Sequence, residues 1–376
     1  MMKTYLVGGA VRDSMMNRKS KDNDFVVVGS TPEQMLSNGF TKVGADFPVF
    51  LHPETKDEYA LARRERKTGT GYNGFEVVFD PSVTLIEDLA RRDLTINAIA
   101  MDDDGVVVDP FNGQRDIYDR VLRPVSREAF AEDPVRALRV LRFLARFGNN
   151  WKMADELVEL LVDMRDSGEF EHLVKERVLA EMMKAMSEPH WYLFFTTKIM
   201  GRPLFEEIIE QMVPVNFKVN MGHLDLSRAE LIQVKRIKTN KHRFSCAVEM
   251  VHGFEDLLKF LKASTATHNQ VKADMAIQCV HRVYWGDKVS PAEMAKIAVD
   301  KLELFDDQSP IFRFVQNHAD NQLVSMMLKA REKAMMVKFH NAILPGDTNQ
   351  EAAQRLHDFR LAVMCREIAN ATDNEV

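Results

Sequence analysis

Along the first 125 residues, apolar positions come in short runs broken by Gly, Pro, Asn and Asp. TYLV, FVVVG, PVFLH, EYALA, EVVF and GVVVDP are short runs rich in aliphatic, β-branched or aromatic residues, so each reads as a strand. Between them AVRDSMM, TPEQMLSNG and LIEDLARRDLTINAIA carry helical spacing. This interleaving predicts an α+β head, a mixed sheet with helices, over 1–125. From residue 126 the period changes. EDPVRALRVLRFLARFG, ADELVELLVDMRDSG and KERVLAEMMKAM space their apolar residues three and four apart, as amphipathic helices do. The texture continues through RAELIQVKRIK, DNQLVSMMLKAREKAMMVKFH and AQRLHDFRLAVMCREIA. An all-α C-terminal region is therefore expected, with a helical neck at 126–200, a helical body at 201–290 and a helical tail at 291–376.

Composition changes this picture little. At 376 residues and 45% hydrophobic content the chain can bury two or three cores. A net charge of −6 argues against a uniformly basic nucleic-acid binder but allows a local basic face. Cys246, Cys279 and Cys365 are far apart and odd in number, which suggests neither a disulfide framework nor a zinc site and fits a reducing cytoplasm. The start, MMKTYLVGGAVRD, meets charge too early for a signal peptide, and no window is long enough for a membrane span.

Two stretches carry chemistry. LVGGAVRD reads as strand, tight turn and helix; the N–H groups around Gly8 and Gly9 can cradle phosphate, with Arg12 as a charged clamp. It is no Walker A loop. In KDNDFVVVG, Asp22 and Asp24 stand two apart at the head of a strand, so they project to one side and Phe25 and Val27 to the other. Two carboxylates so placed repel unless a cation lies between them, and hard oxygen ligands suit magnesium. An Asp-rich turn is the alternative for this pair alone. A phosphate cradle leading into paired carboxylates points to nucleotidyl transfer from a nucleoside triphosphate.

These segments resemble the DNA polymerase beta superfamily, and LVGGAVRD…KDNDFVVVG resembles its tRNA nucleotidyltransferases, the CCA-adding enzymes of the bacterial and eukaryotic class. RRDLTINAIA (91–100), DPFNGQRDI (109–117), EDPVRALRVLRF (132–143) and KERV (175–178) with Glu181 are similar to four further motifs of that branch, in order. VGSTPEQML and DFPVFLHPETKDEYALARRERKTGTGY resemble the gammaproteobacterial type in particular. The resemblance implies two Mg2+ ions held by Asp22 and Asp24, with Glu58 as a third catalytic carboxylate. Arg92 would reach the triphosphate, and Asp93 and Asn97, four apart on a helix, the ribose. Asp133 and Arg136 would pair with the base of CTP or ATP as a protein template, and Arg139 would meet phosphate or brace the pocket. Asp109 is a candidate site residue or a plain turn residue, and the glycine-rich stretch 65–76 should be a mobile loop.

Beyond residue 190 the resemblance weakens, and neither the phosphohydrolase domain of many relatives nor phosphatase activity is expected. The basic run at 222–245, with Lys235, Arg236, Lys238, Lys241 and Arg243, is the candidate surface for the phosphates of a tRNA acceptor arm and elbow. The expected activity is template-independent addition or repair of the 3′-terminal CCA, with no obligate protein partner. An enzyme that adds only A, or a poly(A) polymerase, shares these motifs. An RNA-binding protein without catalysis on the same scaffold is the alternative from another class.

Overall fold

The computed structural model describes residues 2–20, 22–43, 49–67, 75–213, 254–263, 290–316, 322–338 and 348–373, with 269, 272, 273, 277, 342 and 344 singly. The basic run with Lys235, Arg236, Lys238, Lys241 and Arg243 lies outside the described residues, as do 68–74 of the glycine-rich stretch. The chain divides into two compact units, Met1–Lys218 and Val219–Val376.

The first unit is built on a mixed sheet. Strand β1 (Lys3–Val7) turns at Gly8 into helix α1 (Gly9–Met15); β2 (Asp24–Val28) leads through Thr31 into α2 (Pro32–Ser37). Thr31 and Gln34 form a reciprocal cap, and Pro32 at the first turn starts the helix at that point. Strands β3 (Thr41–Val43), β4 (Val49–Leu51) and β5 (Glu58–Leu61) follow, then a hairpin of β6 (Arg63–Lys67) and β7 (Phe75–Phe79). Helix α3 (Leu85–Ala90), strands β8 (Ala100–Met101) and β9 (Val107–Val108), and helix α4 (Gly113–Asp119) complete the head. Sheet order is β3-β4-β5-β2-β1-β8-β9. Every pairing is antiparallel except β2 with β5, which run parallel with Asp24 opposite Glu58 and Phe25 opposite Tyr59.

That register decides the site. Side chains alternate along a strand, and Phe25 and Tyr59 stack at 4.5 Å. Val27 and Leu61 share their face and bury Met35 and Phe50. The opposite face carries Val26 and Ala62, packed with Val7, Val83 and Leu89. Asp24 and Glu58, in step with Val26 and Ala60, stand at its end.

Two expectations change here. The helix expected across 85–100 stops at Ala90; Leu94 is extended and Thr95–Asn97 is a single 3-10 turn, because the chain leaves α3 so that Leu94 can bridge to Pro124. The glycine-rich 65–76 stretch, expected as loop, is strand at both ends, paired Arg63 with Phe79 through Lys67 with Phe75.

Beyond the head, α5 (Arg127–Glu132) and α6 (Val135–Phe147) are separated by Asp133 and Pro134, since a residue before proline is driven extended. Asp133 thus sits in a break rather than on the helix that was expected to carry it. Helix α6 buries Val135, Leu138, Leu141 and Phe143, and α7 (Asp155–Asp166) and α8 (Lys175–Met186) follow. Short strand pairs at 121–122 with 152–153 and at 198–199 with 202–203 interrupt the helical texture. The described elements of the second unit are helices; Pro291–Leu302, Pro310–Gln316, Gln322–Met335 and Asn349–Asp373 share a core of Ala295, Ala298, Leu302, Val315, Met327 and Met364. No helix among the described residues is long and apolar enough to cross a membrane.

Candidate nucleotide-binding site

A cleft of about 530 Å³ opens in the first unit where β1, β2 and β5 meet the segment after α3 and helix α6. It collects Gly8, Gly9, Arg12, Asp24, Glu58, Arg92, Asp93, Asn97, Asp133, Arg136 and Arg139, brought together from across more than a hundred residues of sequence. Nine arginines and four carboxylates line it. A chain of net charge −6 thus concentrates positive charge in one hollow, and such a hollow draws anions.

On the strand wall, Asp24 and Glu58 are side by side and exposed, and neither carboxylate has a hydrogen bond or ion pair among the described residues. Asp22 is exposed and precedes the strand, so strand alternation does not place it beside Asp24 as expected. Partial desolvation pushes the Asp24 carboxyl above its ordinary value; the Arg92 charge opposes this and the Asp22 charge adds to it. Among the described residues no group of three or more His, Cys, Asp or Glu could hold a metal by itself. That donor set still fits magnesium, which takes one or two carboxylates and completes its shell with water and substrate phosphates.

The Gly-Gly turn differs in detail from the expected cradle. Gly8 has φ +66°, and a Cβ there would lie 2.9 Å from Arg92 Nη1, so only glycine permits the close approach of that guanidinium. Its N–H donates to the Ile99 carbonyl at 3.1 Å and is not available to phosphate. Arg12 is likewise occupied. It is 4% exposed, lies 5.2 Å from the Phe143 ring centroid, and donates to Asp13 at 2.8 and 2.9 Å and to Asn97 Oδ1. Burial lowers its pKa, and Asp13 partly restores it. Arg12 therefore braces the site from beneath instead of offering the free clamp expected of it.

The helix wall is a network of paired charges. Asp93 accepts from Asn97 Nδ2 at 3.0 Å and from Arg139 Nε at 2.7 Å. Burial raises this carboxyl, but the Arg139 charge, the Asn97 hydrogen bond and the Arg136 charge outweigh it and hold the pKa well below the usual range. Arg139 thus meets Asp93, the bracing alternative of the two expected for it. Asp133 takes both nitrogens of Arg177 at 2.9 and 2.7 Å, a bidentate pair joining the fourth and fifth motifs. Arg136 donates to the carbonyls of Ala129 and Arg91, both at 2.7 Å. Asp109 caps α4 through the N–H groups of Gly113 and Gln114, the turn alternative of the two given for it.

Sequence reasoning missed Asp88, fully buried and bonded to Arg91 and Arg92, as well as Asp13 and the roles of Arg177 and of Arg142 with Glu181. A carboxylate three and four residues before two arginines on a helix was a legible signal for Asp88. Nothing local marked Asp13, whose second partner, Arg146, is 133 residues away.

Strand, Gly-Gly turn and helix, with carboxylates on the neighbouring strand ends, make up the head of the first unit. Residues 4–123 match the family model described as the poly A polymerase head domain. Among curated proteins, the chain is 57% identical over 197 residues to a "Multifunctional CCA protein" of Teredinibacter turnerae, which covers 52% of this chain and 48% of that one. It is also 57% identical over 196 residues to the protein so named in Vibrio parahaemolyticus, with the same coverage. The chain thus spans about half the length of the curated relatives it matches. Among solved structures, the CCA-adding enzyme of Bacillus stearothermophilus in complex with CTP aligns with a TM-score of 0.63 at 20% identity, over 96% of this chain and 89% of that one. A tRNA nucleotidyltransferase complexed with a primer tRNA and an incoming ATP analog aligns at 0.57 and 20% identity, over 89% and 97%. The fold is that of the CCA-adding enzymes.

Proposed function

We propose that this chain is a template-independent CTP/ATP:tRNA nucleotidyltransferase of the cytoplasm that adds or repairs the 3′-terminal CCA, releasing pyrophosphate. One observation carries this reading. A single cleft holds unpaired carboxylates on the strand wall and an acceptor-donor pair, Asp133 and Arg136, on the helix wall. The first set suits phosphoryl chemistry and the second suits the edge of a base.

In this reading Asp24 and Glu58, with Asp22 nearby, would hold two magnesium ions. The ions would lower the pKa of the attacking hydroxyl and neutralise the leaving pyrophosphate. Arg92, held between Asp88 and the Asn97 carbonyl, faces the triphosphate, beside Gly8 and Gly9 of the turn. Asp93 and Asn97, fixed on one another, contact the ribose. Asp133 offers acceptors and Arg136 donors to cytosine or adenine, and the fixed partners of both make the protein its own template. Positioning and electrostatics supply most of the rate in such transfers. The tRNA is held by shape and charge, with Lys235, Arg236, Lys238, Lys241 and Arg243 as the candidate contacts.

The test is incorporation of labelled CTP and ATP on tRNA transcripts that end before the CCA, after one C and after two. Addition of C, C and a single A is expected. Addition of A only, and only after both Cs, would make this an A-adding enzyme; unlimited A on any RNA would make it a poly(A) polymerase. No incorporation would leave an RNA-binding scaffold.

A further inference from the structure

Asp88 lies in α3 with no exposed surface. Its Oδ1 accepts from Arg91 Nε and Nη2 at 3.0 and 2.7 Å, and its Oδ2 from Arg92 Nη2 at 3.0 Å. The backbone N–H of Arg63, first residue of β6, donates to Oδ1 at 3.4 Å. The next link is backbone: the Arg91 carbonyl accepts from Arg136 Nη2 at 2.7 Å. Arg92 runs on through Nη1 to the Asn97 carbonyl, while its buried Nε has no partner among the described residues. One carboxylate therefore touches the root of the β6–β7 hairpin and the arginine nearest the Gly-Gly turn. Through a single residue it also reaches the arginine of the helix wall. A buried ion is tolerated only when so fully paired. Burial raises the Asp88 carboxyl, and the Arg91 and Arg92 charges bring it below its ordinary value.

We propose that Asp88 is a positioning residue for the incoming nucleotide. It orients Arg92 directly and Arg136 through the Arg91 carbonyl, so that the triphosphate and the base are met by one rigid unit. The proposal rests on the reading of the cleft as a nucleotide site.

Asp88→Asn keeps the volume and removes the charge. In the full chain the Kd for CTP and for ATP is expected to rise about tenfold, the scale of a lost charge-assisted hydrogen bond, with kcat at saturation nearly retained. A titration midpoint is read per folded molecule, so partial unfolding lowers the amplitude and leaves the midpoint. Thr84→Ala removes the cap of the same helix without touching the carboxylate, and should leave both Kd values at wild type. On an Arg92→Ala background the effect of Asp88→Asn should shrink. An unchanged Kd in Asp88→Asn, an equal shift in Thr84→Ala, or fully additive losses in the double variant would each overturn the proposal. If Asp88→Asn does not fold, Arg91→Gln breaks the link toward Arg136 with the carboxylate in place; a raised Kd supports the proposal and an unchanged one overturns it. A wild-type chain that binds neither nucleotide would overturn the reading of the cleft, and the proposal with it.

Discussion

The two walls of the cleft use the same residue types in opposite ways. On the helix wall every carboxylate is paired: Asp93 with Arg139, Asp133 with Arg177, and behind them Asp88 with Arg91 and Arg92. On the strand wall Asp24 and Glu58 stand together with no hydrogen bond or ion pair among the described residues. A paired acid is architecture, since it holds a guanidinium in one pose. Two adjacent unpaired acids are an electrostatic cost that a fold keeps for a ligand. The arginines divide the same way. Arg12 is consumed by Asp13, Asn97 and an aromatic ring, whereas Arg92, beside the Gly-Gly turn, keeps a buried N–H with no partner among the described residues.

Substitution should separate the walls. The largest effect on activity falls on the strand wall: Asp24→Asn should cut nucleotide incorporation by about a thousandfold or more, on the scale of removing one charge-stabilising group from an active site. Its Tm without metal should stay level or rise. The raised pKa of Asp24 means that the folded state favours the neutral carboxyl. The penalty it carries is absent below the unfolded pKa and fully present once the pH passes the folded one. A fall in Tm would show Asp24 to be architectural like its counterparts.

Asp93→Ala should do the reverse, unfolding the head by about 3–5 kcal/mol because it strands Arg139 beside a buried Asn97. Chemical denaturation measures this. Stability within about 1 kcal/mol of wild type would mean that the pair is not structural. Acid should not mimic the substitution at working pH: with the folded pKa far below the unfolded value near 4, the contribution of the pair is complete in mild acid and fades only below that.

Gly113→Ala comes next. A Cβ would meet the Thr95 carbonyl at 2.2 Å and Ile99 at 2.8 Å, so α4 must back away from the turn carrying Asn97. A loss of about 1–3 kcal/mol is expected from such overpacking, together with weaker nucleotide binding. Stability loss with binding intact would uncouple α4 from the site.

The smallest effect sharpens the contrast with an exposed pair. Arg115 and Asp119 are 2.6 Å apart on the outer face of α4, and Arg115→Ala should cost less than about 0.5 kcal/mol. A cost as large as that of Asp93→Ala would deny that burial separates the two kinds of pair.

Much of the head was legible from its pattern. Short β-rich runs with turn residues between them mark strands wherever one face is buried, and β1, β2, β4, β5, β7 and β9 lie where those runs predict. Local rules failed where the chain leaves an element for a tertiary reason. Arg91 to Leu94 carries good helix formers, yet it must exit α3 and pair with Pro124. Asp133 has helical spacing to Arg136, but Pro134 forbids the helix at that residue.

By itself the sequence determined the alternation that puts Asp24 opposite Phe25, the Gly-Gly turn and the amphipathic face of α6, because these depend on neighbours within a few residues. Which acid each arginine meets was decided only by the tertiary structure. Arg177 could be matched to Asp133, Arg139 to Asp93 and Arg146 to Asp13 only once α1, α6 and α8 were in place. Charge attraction carries no sequence address, and packing alone selects which partners lie within reach.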